Sequence, residues 1–301
     1  MNNKRAFLIL ICTYLATQTT KTTSYIYPQR YSINLIWIKQ KLDTNQANLL
    51  TQAQVETLIN WSKKNPTAQV NLWLDAKLTC KKAIQNLQET IKQANLKFKK
   101  TKIKLKNIRK LKPVIKYPEI FAAQIPIYFR VDLLKVIIAQ ESLLANHNLC
   151  FVYVDFDLKP ITSKKLFDRK TRQILKKNYF VLAKSNNKCG FENGFQIFTY
   201  QINLLQALDL KITQVAIKQA QVFIESTPKS PELLNNHSWR AKRAEFQETV
   251  FRAYPEMISY FYELIMPTGQ KPSIFYPEPE FYTKKMAMPG STSQQFEFKN
   301  C

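Results

Sequence analysis

FVYVDFDLKP, residues 151–160, is the stretch that decides the fold of this chain. Its β-branched and aromatic residues predict a buried strand that carries Asp155 and Asp157 at its exposed end and stops at Pro160. In an extended chain, residues i and i+2 point to the same side, so the two carboxylates repel each other unless a cation lies between them. The pattern predicts a divalent metal carrying a phosphate-bearing substrate, or alternatively a strand-terminating turn with two solvated acids.

Composition narrows the possible chemistries. The chain has 301 residues and is 45% hydrophobic, which indicates a globular protein with a substantial core. Its 4 glycines include neither a GxGxxG nor a GxxxxGK[ST] motif, so a glycine-rich phosphate loop is excluded. The 5 cysteines lack a CxxC pair, and only His147 and His237 are present. Zinc hydrolysis and a histidine-based triad are therefore poorly supported.

The charge balance is strongly basic, with a formal net charge of +24. By itself this charge indicates an anionic partner: nucleic acid, a membrane surface or a phosphorylated ligand. However, 36 of the 45 basic residues are Lys and 9 are Arg, which equally fits a solvated lysine-rich surface. Ten basic residues lie between Lys97 and Lys116, and they predict either an electrostatic patch or an edge strand protected by lysines.

The N-terminus, residues 1–24, has the three parts of a secretory signal peptide. A basic start precedes the apolar run AFLILICTYLA at 6–16, and a threonine-rich stretch reaches Ser24. The alternative is a buried first strand or helix of the domain. The expected location is secreted or exported if the leader is cleaved, and otherwise cytoplasmic.

Strands and helices alternate along the rest of the chain. Strands are predicted at 31–38, 69–74, 102–105, 151–160, 179–183 and 195–200, and helices at 52–64, 82–94, 124–142, 204–225 and 240–264. This alternation predicts an α/β fold with a mostly parallel sheet flanked by helices. Trp37, Asp75 and the Asp155/Asp157 pair fall at strand ends, where such sheets bind ligands. The Glu192–Gly194 segment is predicted as loop.

Five segments, taken in order, resemble the DXD-motif glycosyltransferases of GT-A fold. They are INLIWI at 33–38, NP at 65–66 followed by NLWLD at 71–75, DLLK at 132–135, YVDFDLKP at 153–160, and ENG at 192–194. The likeness is to the glucosyltransferase domains of clostridial toxins, related bacterial effectors and initiating mannosyltransferase-type enzymes. It covers residues 31–200. It implies one GT-A-like domain at 25–301, in which 201–301 form a helical C-terminal addition that reads the acceptor.

The resemblance also implies how a nucleotide-sugar donor would be held. Trp37 would stack on the nucleotide base, and Asp132 would hydrogen-bond the hydroxyls of the donor sugar. Lys135 stands where the family commonly has Arg, and it would contact the sugar or the phosphate.

The resemblance further implies a metal site and a sugar pocket. Asp155 would touch the ribose or the sugar, Asp157 would bind Mn²⁺ or Mg²⁺ with Asp155 beside it, and Asn193 would line the sugar pocket. The metal would neutralise the leaving diphosphate, with retention at the anomeric carbon. The chain departs from the family at Leu149-Cys150, where a Gly-Gly pair is usual.

Each of these residues also has a structural explanation. Trp37 and Trp73 fit an ordinary core, Asp132 fits a surface salt-bridge cluster with Arg130 and Lys135, and Asn193 fits a turn. The expected function is a metal-dependent transfer of sugar from a nucleotide diphosphate sugar, with UDP-sugar as the expected donor, to a protein or glycan. The alternatives are a phosphotransferase of the haloacid-dehalogenase type, and a basic protein on a degenerate transferase fold that binds nucleic acid or an anionic membrane.

Overall fold

The computed structural model describes most of the chain between Arg30 and Pro228. The described residues are 30–39, 47–99, 102–122, 125–160, 166–167, 169–184, 191–207, 209, 215–228, 241, 275–276 and 282–284. The predicted leader at 1–24 and nearly all of the predicted helix at 240–264 lie outside them. Within them, no helix is both long and apolar enough to cross a membrane.

Nine strands and seven α-helices are present in this part of the chain. The strands are β1 (Arg30–Trp37), β2 (Gln69–Leu74), β3 (Ile103–Asn107), β4 (Leu149–Val154), β5 (Leu158–Pro160), β6 (Phe180–Lys184), β7 (Phe191–Thr199), β8 (Phe275–Tyr276) and β9 (Tyr282–Lys284). The helices are α1 (Gln52–Lys64), α2 (Lys81–Lys97), α3 (Lys112–Lys116), α4 (Ile127–Ala145), α5 (Arg169–Asn178), α6 (Ile202–Ala207) and α7 (Val215–Ser226).

Seven of the strands form one mixed sheet in the order β3-β2-β1-β4-β7-β6-β8. The first four strands in this order are parallel, β7 is antiparallel to both of its neighbours, and β8 is parallel to β6. The predicted α/β fold with a mostly parallel sheet is confirmed. After β3 the chain returns to place β4 on the other side of β1, which creates a switch point between the carboxyl ends of β1 and β4. Ligands of open α/β sheets bind at such points.

Helices cover both faces of the sheet because its central strands are apolar on both sides. One core lies under α4, α6 and α7 and includes Phe151 and Phe198. The other lies under α1, α2 and α5 and includes Val152 and Ile197. α1 begins at a capping box in which Thr51 and Gln54 exchange side-chain hydrogen bonds.

A buried polar network fixes the register of β2, β1 and β4. Asn34 Oδ1 accepts from Asn71 Nδ2 at 2.9 Å and from Trp73 Nε1 at 3.0 Å. The Asn34 amide donates to the Val152 carbonyl at 3.1 Å. A shift of one residue would leave these polar groups buried without partners, so the network opposes slippage. Trp73 is 8% exposed, which confirms that it is a core residue.

Three local predictions need correction or refinement. The strand predicted over 151–160 is confirmed only in its two ends, because β4 ends at Val154 and a turn separates it from β5. The loop predicted at Glu192–Gly194 is wrong, because these residues belong to β7, next to an irregularity in its pairing with β6. Within the helix predicted at 204–225, the described residues form two helices, α6 and α7. The prediction that the lysine-rich 102–105 strand lies at an edge is confirmed, since β3 ends the sheet with Lys104 and Lys106 exposed.

Candidate functional site

A tight turn follows β4 at the switch point. The Leu158 N–H donates to the Asp155 carbonyl at 3.1 Å, which closes a β-turn over Asp155–Leu158. The Asp155 N–H donates to the Gly194 carbonyl of β7 at 2.8 Å. From the other side, Trp61 Nε1 of α1 donates to the Leu158 carbonyl at 3.0 Å. Contacts from two distant segments therefore fix the backbone of this turn, which we call the β4 turn.

The β4 turn separates the environments of the two acids. The Asp155 side chain is 32% exposed, whereas Asp157 is exposed. The expectation that both carboxylates point to one side assumed an extended chain, and that argument does not apply to a turn. One acid faces a buried cluster and the other lies at the surface.

Asp155 belongs to an ionic cluster with α4. Lys135 Nζ lies 3.0 Å from Asp132 Oδ1 and 3.6 Å from Asp155 Oδ1. The Tyr153 hydroxyl of β4 donates a short hydrogen bond to the same Oδ1 of Asp155. The structure thus brings together three of the predicted site residues, Asp132, Lys135 and Asp155, and adds Tyr153.

This cluster is buried, so the surface salt-bridge explanation of Asp132 is wrong. The side chains of Lys135 and Asp132 are only 3% and 10% exposed. Two carboxylates share one ammonium, which leaves the formal charge of the cluster at −1. Lys135 Nζ also lies 4.8 Å from the centre of the Tyr153 ring, a favourable position for a cation. Asp155, one-third exposed, is the member of this cluster that a ligand could reach most readily.

Arg130, predicted to join Asp132 on one surface, instead supports the start of α4. Its Nη2 donates to the carbonyls of Ala122 and Ile125 at 2.6 and 2.9 Å. The residue is fully buried, and desolvation lowers the pKa of its guanidinium. It stabilises the chain entering α4.

Trp37 lies at the end of β1 and borders the β4 turn. Its ring packs edge to face on Phe156, with the ring centres 5.7 Å apart and the planes at 82°. Within the part of the chain that the structure describes, the buried Trp37 Nε1 has no hydrogen-bond partner. The predicted base-stacking residue and the predicted carboxylate turn are therefore neighbours at the switch point.

Asn193 is placed beside the same turn by strand register. β4 and β7 pair with Val154 opposite Phe195, and the Asp155 N–H bonds to Gly194. Asn193 precedes Gly194 in β7, so its backbone also lies beside the β4 turn.

Asp75, at the end of β2, is closed to ligands. Both of its oxygens accept from Arg109, Oδ1 from Nε at 3.0 Å and Oδ2 from Nη2 at 2.8 Å. The Lys77 N–H also donates to Oδ1 at 3.0 Å. Because Arg109 stacks on Phe121 at 3.6 Å, the pair is held in place and is structural.

The β4 turn carries two acids, Asp155 and Asp157, whose oxygens are of the type that a metal shared with a phosphate ligand would use. Among the described residues no group of three His, Cys, Asp or Glu side chains could hold a metal ion by itself. Mg²⁺ and related ions are commonly bound by one or two carboxylates together with substrate phosphates and water. Asp157 and Asp155 Oδ2 are the oxygens that could take part.

Sequence reasoning assigned no role to Tyr153, Phe156 or Trp61, although all three determine the geometry of the site. A signal for Tyr153 was present, because it lies two residues before Asp155. No local pattern indicated that Trp61, almost a hundred positions away, anchors the β4 turn.

Comparisons with known proteins give distant structural similarities. No family model and no curated protein matches the chain. A solved structure titled "PaToxG Glycosyltransferase" is 14% identical, with a TM-score of 0.39, and covers 77% of this chain and 84% of that one. Mouse xyloside xylosyltransferase 1 is 13% identical, with a TM-score of 0.38 and coverage of 82% and 84%.

The catalytic domain of alpha-toxin from Clostridium novyi is also similar, at 12% identity and a TM-score of 0.32, covering 81% of this chain and 68% of that chain. At these scores the similarities carry no weight for function. We infer the function from the side chains around the β4 turn.

Proposed function

We propose that this protein is a metal-dependent glycosyltransferase that moves a sugar from a nucleotide diphosphate sugar to an acceptor. The observation that carries the proposal is the meeting of Trp37, Asp155 and the Asp132–Lys135 pair at the switch point between β1 and β4. Binding such a donor requires an aromatic surface for the base, carboxylates for the hydroxyls and an exposed acid for a cation. UDP-sugar is the proposed donor.

The proposed roles follow the positions of the side chains. Trp37 stacks on the base. Asp132 and Asp155 accept hydrogen bonds from sugar or ribose hydroxyls, while Lys135 holds both carboxylates in place. Asn193 lines the sugar pocket.

Asp157, with Asp155 beside it, is proposed to hold Mn²⁺ or Mg²⁺ together with the diphosphate. When bound, the metal supplies charge neutralisation for the leaving diphosphate. The buried cluster excludes water from one side of the sugar, which strengthens the electrostatic contacts there. Retention at the anomeric carbon is the proposed stereochemistry.

The acceptor is proposed to be a protein or a glycan, read by residues 201–301 beyond the sheet core. Export through the leader at 1–24 is the proposed route to it. Acceptor choice in such folds lies in loops and added elements.

A mutant comparison tests the proposal. Donor hydrolysis is measured with Mn²⁺ for the wild type, Asp157→Ala and Glu89→Ala, the last replacing an exposed acid on α2. We expect Asp157→Ala to lower the rate about 100-fold, because charge stabilisation by a metal is worth several kcal/mol. Glu89→Ala should retain the wild-type rate. Equal rates in all three proteins would reject the proposal.

A second candidate function is docking to an anionic membrane surface. Lys102, Lys104 and Lys106 are exposed at the open edge of the sheet, and lysines near such a surface attract acidic lipids. Specific nucleic-acid binding is not proposed. Sedimentation with phosphatidylserine vesicles tests this candidate, with Lys104→Glu/Lys106→Glu compared with Lys81→Glu/Lys82→Glu, which changes the same charge on α2. Equal binding by the two variants would reject a role for β3.

A further inference from the structure

Asp155 uses its two oxygens differently. Oδ1 accepts the Tyr153 hydroxyl and lies 3.6 Å from Lys135 Nζ. Within the described ranges Oδ2 makes no hydrogen bond to the protein, and the side chain is one-third exposed. One oxygen is therefore committed to the protein, and the other is left for a ligand.

Tyr153 is the contact that sets this division. Lys135 Nζ is too far from Asp155 Oδ1, at 3.6 Å, for a well-formed hydrogen bond, and an ammonium on a flexible stem imposes little direction. The phenolic hydroxyl is directional and within bonding distance. It fixes the rotation of the Asp155 carboxylate.

The Tyr153 ring is itself immobile, as a positioning group must be. It is 1% exposed and lies in the core beneath α4. β4 pairs on one side with β1, where Tyr153 is opposite Asn34, and on the other with β7, where it is opposite Gln196. The hydroxyl is therefore held by a rigid ring in the middle of the sheet.

We propose that Tyr153 is a positioning residue for donor binding, which anchors Asp155 Oδ1 so that Oδ2 faces the ribose or sugar hydroxyls. The inference rests on the proposed function and assigns to it a residue that acts through Asp155 and does not touch the donor. A preorganised carboxylate binds a hydroxyl without first losing its rotational freedom.

The competing explanation is that Tyr153 only fills the core and satisfies its own hydroxyl. A double-mutant cycle separates the two, because a positioning residue has an effect only while Asp155 is a carboxylate. Tyr31→Phe is the matched control, since it also removes one tyrosine hydroxyl, which donates to Asn65 Oδ1 at 3.0 Å.

The experiment measures UDP-glucose affinity by calorimetry in the presence of Mn²⁺. The proteins are the wild type, Tyr153→Phe, Asp155→Ala, the double variant and Tyr31→Phe, each with its thermal unfolding recorded. We expect Tyr153→Phe to weaken binding about 10-fold, the scale of one hydrogen bond to a charged group. In the Asp155→Ala background, where the acceptor is gone, the same change should have less than about a twofold effect.

Two outcomes would overturn the inference while leaving the proposed function intact. One is wild-type affinity in Tyr153→Phe, and the other is an equal loss in both backgrounds, which indicates a purely structural role. A wild-type protein that binds neither UDP-glucose nor UDP-N-acetylglucosamine overturns the proposed function, and this inference with it.

Discussion

The ends of β2 and β4 each carry an aspartate that contacts a basic side chain, yet the two sites differ in what is left open. Asp75 is fully buried, and both of its oxygens are taken by Arg109. The Oδ1 atom of Asp155 is shared by Tyr153 and Lys135, while Oδ2 makes no hydrogen bond to the described residues. A strand-end carboxylate is thus structural when saturated, and a candidate ligand site when one oxygen stays open.

The largest expected effect is a loss of stability at the end of β2, where both Asp75 oxygens are occupied. Asp75→Ala leaves the partly buried Arg109 guanidinium and the Lys77 N–H without their partner, so the free energy of unfolding should fall by about 3 kcal/mol, the lower end of the range for a broken buried pair. Urea denaturation followed by circular dichroism measures this loss. A variant that unfolds at the wild-type urea concentration would contradict the structural role of Asp75.

The two tryptophans sharpen the contrast. Trp37→Leu should weaken UDP binding by about 1–3 kcal/mol, since it removes a stacking surface at the open end. Trp73→Leu deprives Asn34 Oδ1 of one donor and leaves a cavity, so it should lower the free energy of unfolding by about 2–4 kcal/mol. Fluorescence titration with UDP and urea denaturation of both variants measure the two quantities. If Trp37→Leu mainly lowered the stability and Trp73→Leu mainly weakened UDP binding, the contrast between the open and the closed site would be wrong.

The smallest effect is expected for the stability of Asp155→Asn. Lys135 keeps Asp132 at 3.0 Å, and the Tyr153 hydroxyl can donate to the new amide oxygen. The free energy of unfolding should therefore change by less than about 1 kcal/mol. A loss as large as that of Asp75→Ala would place Asp155 among the structural carboxylates.

The positions of the strands and the mostly parallel sheet could be predicted because the strands are locally encoded. β2 and β4 are continuous apolar runs, and β3 alternates lysine with apolar residues as an edge strand does. The strand-end positions of Trp37, Asp75 and Asp155 followed directly from these strands.

The geometry of the site depended on contacts that no local pattern carries. The bend after Val154 is set by Gly194 and Trp61, which come from β7 and α1. Lys135 looks like a surface residue in the sequence, but α4 is surrounded by core and buries it. The prediction that Asp155 and Asp157 point to the same side assumed an extended chain. Because the chain turns after Val154, this assumption does not hold.

The central claim is that the open carboxylate of the β4 turn binds a nucleotide diphosphate sugar. Calorimetric titration of UDP-glucose with Mn²⁺ into the wild type and Asp155→Asn tests it most directly. We predict one binding site in the wild type and an affinity at least about 30-fold weaker in the variant, consistent with the loss of a charged hydrogen-bonding partner. Equal affinities, with both proteins folded, would contradict it.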